Sequence, residues 1–231
     1  MKNNNLTHNT LLPAIATAIP YEEKELAILF LDIRNFTGLM VSQPEQHIIQ
    51  IVRRLFTAFN QIIKSFSGKV IETAGDSLYA VFGLQDGLPE AVNNAYLATK
   101  AMFRTVGLFN DSYAVDTENA PLEMGAGLHA GRVFIDEFSL EGTPQLAVMG
   151  LPVNITARLQ AKTRELNNDL LISEYAYHFL NEPETTAGVQ TVTLQGIAQG
   201  QQIRLAGGPY YVPKALAEPD LHMSYLLAIS G

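Results

Sequence analysis

The stretch Leu26-Ala27-Ile28-Leu29-Phe30-Leu31-Asp32-Ile33-Arg34-Asn35-Phe36-Thr37-Gly38 decides how the rest of the chain is read. Its first six residues form a short continuous apolar run, which predicts a strand buried on both faces and ending at Asp32. The segment after it, Ile33 to Gly38, reads in two ways. Backbone N–H groups opening a helix there would face an anion, with the Thr37 hydroxyl adding a donor. The same residues also suit a plain N-capped helix.

Working outward, apolar residues recur at 48, 51, 52, 55, 59, 62, 63 and 66, which predicts an amphipathic helix over His47–Phe66 stopped by Ser67-Gly68. Two short strands follow, Lys69–Thr73 and Leu78–Phe82, joined by the turn Ala74-Gly75-Asp76-Ser77. A second helix covers Pro89–Phe109. Met124–His129 and Arg132–Phe138 read as a strand pair around Ala130-Gly131, and Leu146–Met149 as an apolar segment ending in Gly150. Val153–Thr163 predicts a helix, Leu170–Ile172 and Val189–Leu194 predict strands, and Tyr210–Val212 a last one. The order β-α-β-β-α-β defines an α+β fold with a ferredoxin-like βαββαβ core and C-terminal additions.

Composition narrows the function. The 231 residues carry 15 Lys+Arg against 23 Asp+Glu, a net charge of −8, and no Cys or Trp. Without cysteine there is no disulfide framework, thiolate zinc site, iron–sulfur cluster or thiol nucleophile. The acidic balance argues against nucleic acid as a partner, because its backbone demands a basic face. No apolar run reaches the ~20 residues that span a bilayer, so no membrane partner is expected. Leu11–Ile19 is apolar, but Pro13 interrupts it and three Asn and one Lys precede it, so an N-terminal arm is preferred to a secretory signal. The expected location is cytoplasmic. The organisation expected is an arm over 1–25, a catalytic domain over 26–212 and a tail or helix over 213–231.

Two acidic residues stand where strands end. In a β-α-β-β unit the first strand lies beside the hairpin, so Asp32 and Asp76 can meet at one edge. Paired carboxylates with an open side suit Mg²⁺ or Mn²⁺, hard cations that keep waters and accept phosphate oxygens. Ala-Gly-Asp-Ser is also ordinary turn chemistry, which would make Asp76 a turn former. Asn154 and Arg158 are spaced i, i+4, hence on one helix face; a solvated polar face has the same spacing. His129 reads as a packed, hydrogen-bonded residue without a catalytic role.

Together these pieces resemble the catalytic domain of the class III nucleotidyl cyclases, the adenylate and guanylate cyclase family. The resemblance rests on Phe30–Thr37, on Gly75-Asp76 before Ala80-Val81-Phe82, on Gly127–Val133 (Gly-Leu-His-Ala-Gly-Arg-Val), and on Gly150–Leu159 (Gly-Leu-Pro-Val-Asn-Ile-Thr-Ala-Arg-Leu). It implies a homodimer with active sites across its interface. On one protomer, Asp32, Asp76 and the Ile33 carbonyl would hold two divalent cations, Mg²⁺ or Mn²⁺. Asn35, Phe36 and Thr37 would cradle the phosphates of a nucleoside triphosphate. From the other protomer, Asn154 would orient the ribose and Arg158 would stabilise charge on the α-phosphate.

The position implied to read the base is Glu72, four residues before Asp76. A carboxylate accepts hydrogen bonds, and guanine offers N1–H and N2–H on one edge. The order on chemistry is GTP, then UTP through its N3–H, then ATP. Ala147, three residues before Gly150, is the second base-contact position and has no polar side chain. Two more positions depart from the family pattern: Gly125 stands where an Arg is common, and Leu194-Gln195-Gly196-Ile197 carries no basic residue. Arg132, Arg34 and Arg204 are the candidates to replace those cations. The chain is also similar to the free-standing pyrimidine cyclases of antiphage defence, which would make the product a cyclic uridylate or cytidylate. A non-catalytic interaction module that keeps the fold is the remaining alternative.

Overall fold

The computed structural model describes residues 21–114, 121–140, 143–182 and 188–210. The expected arm up to residue 20, including Leu11–Ile19, and the expected tail over 213–231 lie outside the described residues.

The quoted run becomes strand β1, Glu22–Ile33. Its odd residues Ala27, Leu29 and Leu31 pack on one side with Phe59 and Ile63, while Leu26 and Ile28 pack on the other with Tyr79, Val81 and Val133. Burial on both faces is why the run has no polar alternation. A short helix α1, Phe36–Ser42, follows, and then α2, Glu45–Ser65. The apolar stripe of α2 is buried at Ile48, Ile51, Val52, Leu55, Phe59 and Ile63, as its periodicity predicts. Strands β2, Gly68–Ala74, and β3, Ser77–Phe82, form the expected hairpin, and α3 spans Leu88–Ala114.

The strand pair expected around Ala130-Gly131 is one continuous strand. β4 runs from Met124 to Leu140, pairs antiparallel with β1 from Ile33↔Met124 to Glu22↔Ile135, and turns only beyond Leu140 into β5, Thr143–Met149. Its glycines serve close approach rather than a turn. A Cβ on Gly127 would stand 2.5 Å from the Gln160 nitrogen and 2.7 Å from the Thr156 carbonyl oxygen, both backbone atoms of α4, Leu151–Lys162. Strand β6, Leu170–Ser173, joins the early part of β4 in parallel, and the one-turn helix α5, Glu174–Tyr177, follows. Strands β7, Gln190–Val192, and β8, Gln201–Leu205, complete the sheet. The last strand is therefore β8; Tyr210 lies in no strand, and 211–212 are outside the described residues.

The sheet order is β2-β3-β1-β4-β6-β8-β7, with β5 also on β4. Its first four strands have the ferredoxin-like arrangement, with α2 and α3 on one face and α4 on the other. Ile155 and Leu159 of α4 are buried with Leu171, Val192 and Ile203. Among the described residues no helix is long and apolar enough to cross a membrane.

Candidate active site

Asp32 is the penultimate residue of β1 and lies between Ser77 of β3 and Gly125 of β4. Asp76 occupies the two-residue turn between β2 and β3, where Gly75 takes φ 61°. Two bonds lock the turn against β1. The Ile33 N–H donates to the Asp76 carbonyl at 3.1 Å, and the Ser77 hydroxyl donates to Asp32 Oδ2 at 2.7 Å. The carboxylates that are 44 positions apart in sequence thus border one cavity of about 580 Å³. Ile33, Asn35, Phe36 and Thr37 line it too. Asn35 enters α1 in the left-handed region, φ 55° and ψ 27°, a conformation Asn tolerates better than most residues.

Burial raises the Asp76 pKa, and the Asp32 charge raises it further. The Asp76 carboxyl, its ionisation opposed by burial and the Asp32 charge, together with Asp32, the Ile33 backbone carbonyl and an open cavity, forms an oxygen-only donor set that suits a hard divalent cation. The residues present fit such a cation.

Four expected site residues are not among those lining this cavity. Glu72 is exposed on β2 opposite Tyr79, after a register irregularity between Val70 and Glu72. Tyr79 stacks on Phe30, with centroids 4.6 Å apart, and donates to the Val148 carbonyl at 3.2 Å. Burial, then the Glu72 charge, pushes its pKa up, so it stays protonated. Ala147 lies on β5 opposite Asp136. Asn154 and Arg158 share the exposed side of α4, opposite the buried Ile155, Thr156 and Leu159.

His129 is buried, its Nδ1 2.7 Å from the Ser173 hydroxyl, and burial lowers its pKa to about 4. It is a neutral, packed residue, in line with its sequence reading. Of the three candidate replacement arginines, Arg204 is paired with Glu174 at 2.6 Å, Arg132 lies 3.8 Å from Glu23, and only Arg34 lines the cavity. Sequence reasoning missed Glu123, Arg164, Asn167 and Tyr210, which also line it. None has a motif signal: they come from the β4 entry, the α4 exit and the segment after β8.

A ferredoxin-like sheet that presents two carboxylates beside a strand–helix loop, with a polar pair on α4, has the make-up of a class III nucleotidyl cyclase domain. The chain belongs to that family: the model of the adenylate and guanylate cyclase catalytic domain matches residues 19–205. Two uncharacterized proteins of Mycobacterium tuberculosis are 27% and 28% identical over 184 and 186 residues, covering 79% and 80% of this chain and 31% of each relative. The chain therefore spans about a third of the length of these curated relatives. Among solved structures, the guanylyl cyclase Cya2 superposes with a TM-score of 0.72 at 20% identity, covering 84% of this chain and 97% of that one. The adenylyl cyclase CyaB from P. aeruginosa gives 0.70 at 18% identity over 86% of this chain and all (100%) of that one. The guanylate cyclase domain of RhGC from Catenaria anguillulae, solved in complex with GTP, gives 0.65 at 17% over 82% and 100%. These likenesses establish the fold.

Proposed function

We propose that the chain is a metal-dependent nucleotidyl cyclase that acts as a homodimer and prefers GTP. The observation that carries this reading is the division of its polar residues. Asp32, Asp76 and the Ile33–Thr37 loop border one cavity, while Asn154 and Arg158 lie exposed on α4 and do not line it. A composite site between two copies accounts for both halves.

In the proposed reaction the substrate's 3′-hydroxyl oxygen bonds to the α-phosphorus as the bond to the departing pyrophosphate breaks, and the hydroxyl proton leaves to solvent. Asp32, Asp76 and the Ile33 carbonyl would hold two divalent cations, which when bound supply Lewis-acid stabilisation of the attacking and leaving oxygens. The backbone of Asn35–Thr37 and the Thr37 hydroxyl orient the phosphates. Asn154 of the second copy positions the ribose, and Arg158 stabilises charge that grows on the α-phosphate, so catalysis is positioning and electrostatics. Glu72 accepts from the base; guanine presents two donors on one edge and adenine presents an acceptor at N1.

The test offers GTP, UTP, CTP and ATP separately with Mn²⁺ and identifies any cyclic product. GTP is expected to react fastest, and Glu72→Lys to move the preference towards ATP. Asp32→Ala and Arg158→Ala are each expected to be inactive alone. Mixed in equal amounts, they should recover about a quarter of wild-type turnover, since half the dimers then carry one intact site of two. An inactive mixture would refute the shared site. Absence of any cyclic product from the wild-type protein would refute the cyclase reading.

A further inference from the structure

The cavity that the two carboxylates border is also lined by cationic side chains, Arg34 and Arg164. Arg34 leaves the end of β1 with its backbone N–H donating to the Glu123 carbonyl at 2.8 Å, and its side chain crosses to α4. There Nε donates to the Tyr210 hydroxyl at 3.0 Å, and Nη2 donates to the Gln160 carbonyl at 3.3 Å and to the Thr163 hydroxyl. The guanidinium carbon stands 5.2 Å from the centre of the Tyr210 ring. Thr163 in turn donates to the Gln160 carbonyl at 2.6 Å, which holds that acceptor pair in place.

All these partners are neutral, and among the described residues no carboxylate pairs with Arg34. The guanidinium is fixed in direction by neutral groups, with no carboxylate hydrogen-bonded to it among the described residues. Of its five N–H donors, those on Nη1 have no bond to the described residues.

The seat itself is made by Gly125, the direct β-ladder partner of Asp32. A Cβ at 125 would collide with the Arg34 guanidinium and stand 2.6 Å from both the Thr163 and the Tyr210 hydroxyls. The missing side chain is the space the arginine occupies. Arg164 lines the same cavity, so two arginines share it with the carboxylates of Asp32, Asp76 and Glu123. A ligand that carries both cations and bare anionic oxygens matches carboxylates and arginines alike, and a metal-bound polyphosphate has that form.

We infer that Arg34, seated over Gly125 and braced by Thr163 and Tyr210, is the residue that grips the outer phosphates of the nucleoside triphosphate, with Arg164 at the rim. This assignment rests on the proposed cyclase reading for its substrate, but its binding chemistry can be measured without turnover. Guanidinium–phosphate bonds are charge-assisted and often bidentate, so their loss is costly to affinity.

The experiment is calorimetric titration of the full chain with inorganic tripolyphosphate in the presence of Mn²⁺. Arg34→Gln is expected to weaken binding by about 10- to 100-fold, as loss of a hydrogen-bonded charge does. The double variant Arg34→Gln with Gly125→Arg should regain part of that loss, because the new side chain enters the vacated space. Gly125→Ala keeps the charge but dislodges it, and is expected to weaken tripolyphosphate in the same sense. It also serves as the deciding variant if Arg34→Gln proves unfolded by circular dichroism. Folded variants with wild-type tripolyphosphate affinity would overturn the assignment. Wild-type protein that binds tripolyphosphate in an Arg34-dependent way yet cyclises no nucleotide would refute the cyclase reading and leave the clamp standing.

Discussion

Gly127→Ala tests how the sheet sets the position of α4. The added methyl carbon would stand 2.5 Å from the Gln160 nitrogen, 2.7 Å from the Thr156 oxygen and 3.1 Å from Gln160 Cα. Non-bonded heavy atoms are comfortable at about 3.5 Å, so the two backbones must separate by roughly 0.5–1 Å. β4 cannot yield, because Gly127 is paired with Phe30 of β1 on one side and Leu171 of β6 on the other. The helix must move instead, against the burial of Ile155 and Leu159. Overpacking of this kind costs about 1–3 kcal/mol, and the lower backbone entropy of Ala returns about 0.5–1 kcal/mol of it. At the middle of those ranges the net loss is about 1 kcal/mol, which lowers the melting temperature by roughly 2–4 °C in a chain of this length. With no Trp in the sequence, melting is followed by far-ultraviolet circular dichroism. Asn154 and Arg158 ride on the displaced helix, and in the proposed reaction a misplacement near 1 Å is expected to cost about 10²-fold in rate. An unchanged melting temperature together with wild-type turnover would refute the claim that this glycine sets the α4 distance.

Two further outcomes follow from the same physical reasoning. Gly107 is exposed inside α3, with open space where a Cβ would lie, so Gly107→Ala is expected to stabilise the fold by about 0.5–1 kcal/mol in urea denaturation. Burial holds the His129 pKa at about 4 against 6.5 for an ordinary imidazole, so the unfolded chain binds this proton more readily. The stability it contributes is fully present above pH 6.5 and is lost as the pH falls towards 4, a change of about 3 kcal/mol. Burial raises Asp76 and Asp169, which work in the opposite sense, since their folded forms take up protons more readily. NMR titration should find the His129 ring neutral down to about pH 4; a ring that titrates near 6.5 would remove the effect.

The elements with their own periodicity were legible in the sequence. The unbroken apolar run of β1 reports burial on both faces, and the stripe of α2 reports one. Asp32 and Asp76 were legible as a pair because a strand end and a tight turn constrain side chains locally, and the β-α-β-β order brings those two places to one edge. The glycines of β4 misled: Ala130-Gly131 looks like a turn, yet a glycine admitting the Pro152 side chain of α4 has the same local signature as one reversing the chain. Only the packing of α4 on β4 distinguishes them. The sequence by itself determined the ferredoxin-like core, the family and the acidic edge, because those depend on residues close along the chain or on strands whose order follows from their connections. Tertiary structure alone decided that Asn154 and Arg158 lie outside the cavity, and that Arg34 fills the space left at Gly125. The reason is physical: Arg34 is held by Thr163 and Tyr210, 129 and 176 positions further on, and periodicity carries no information over such distances.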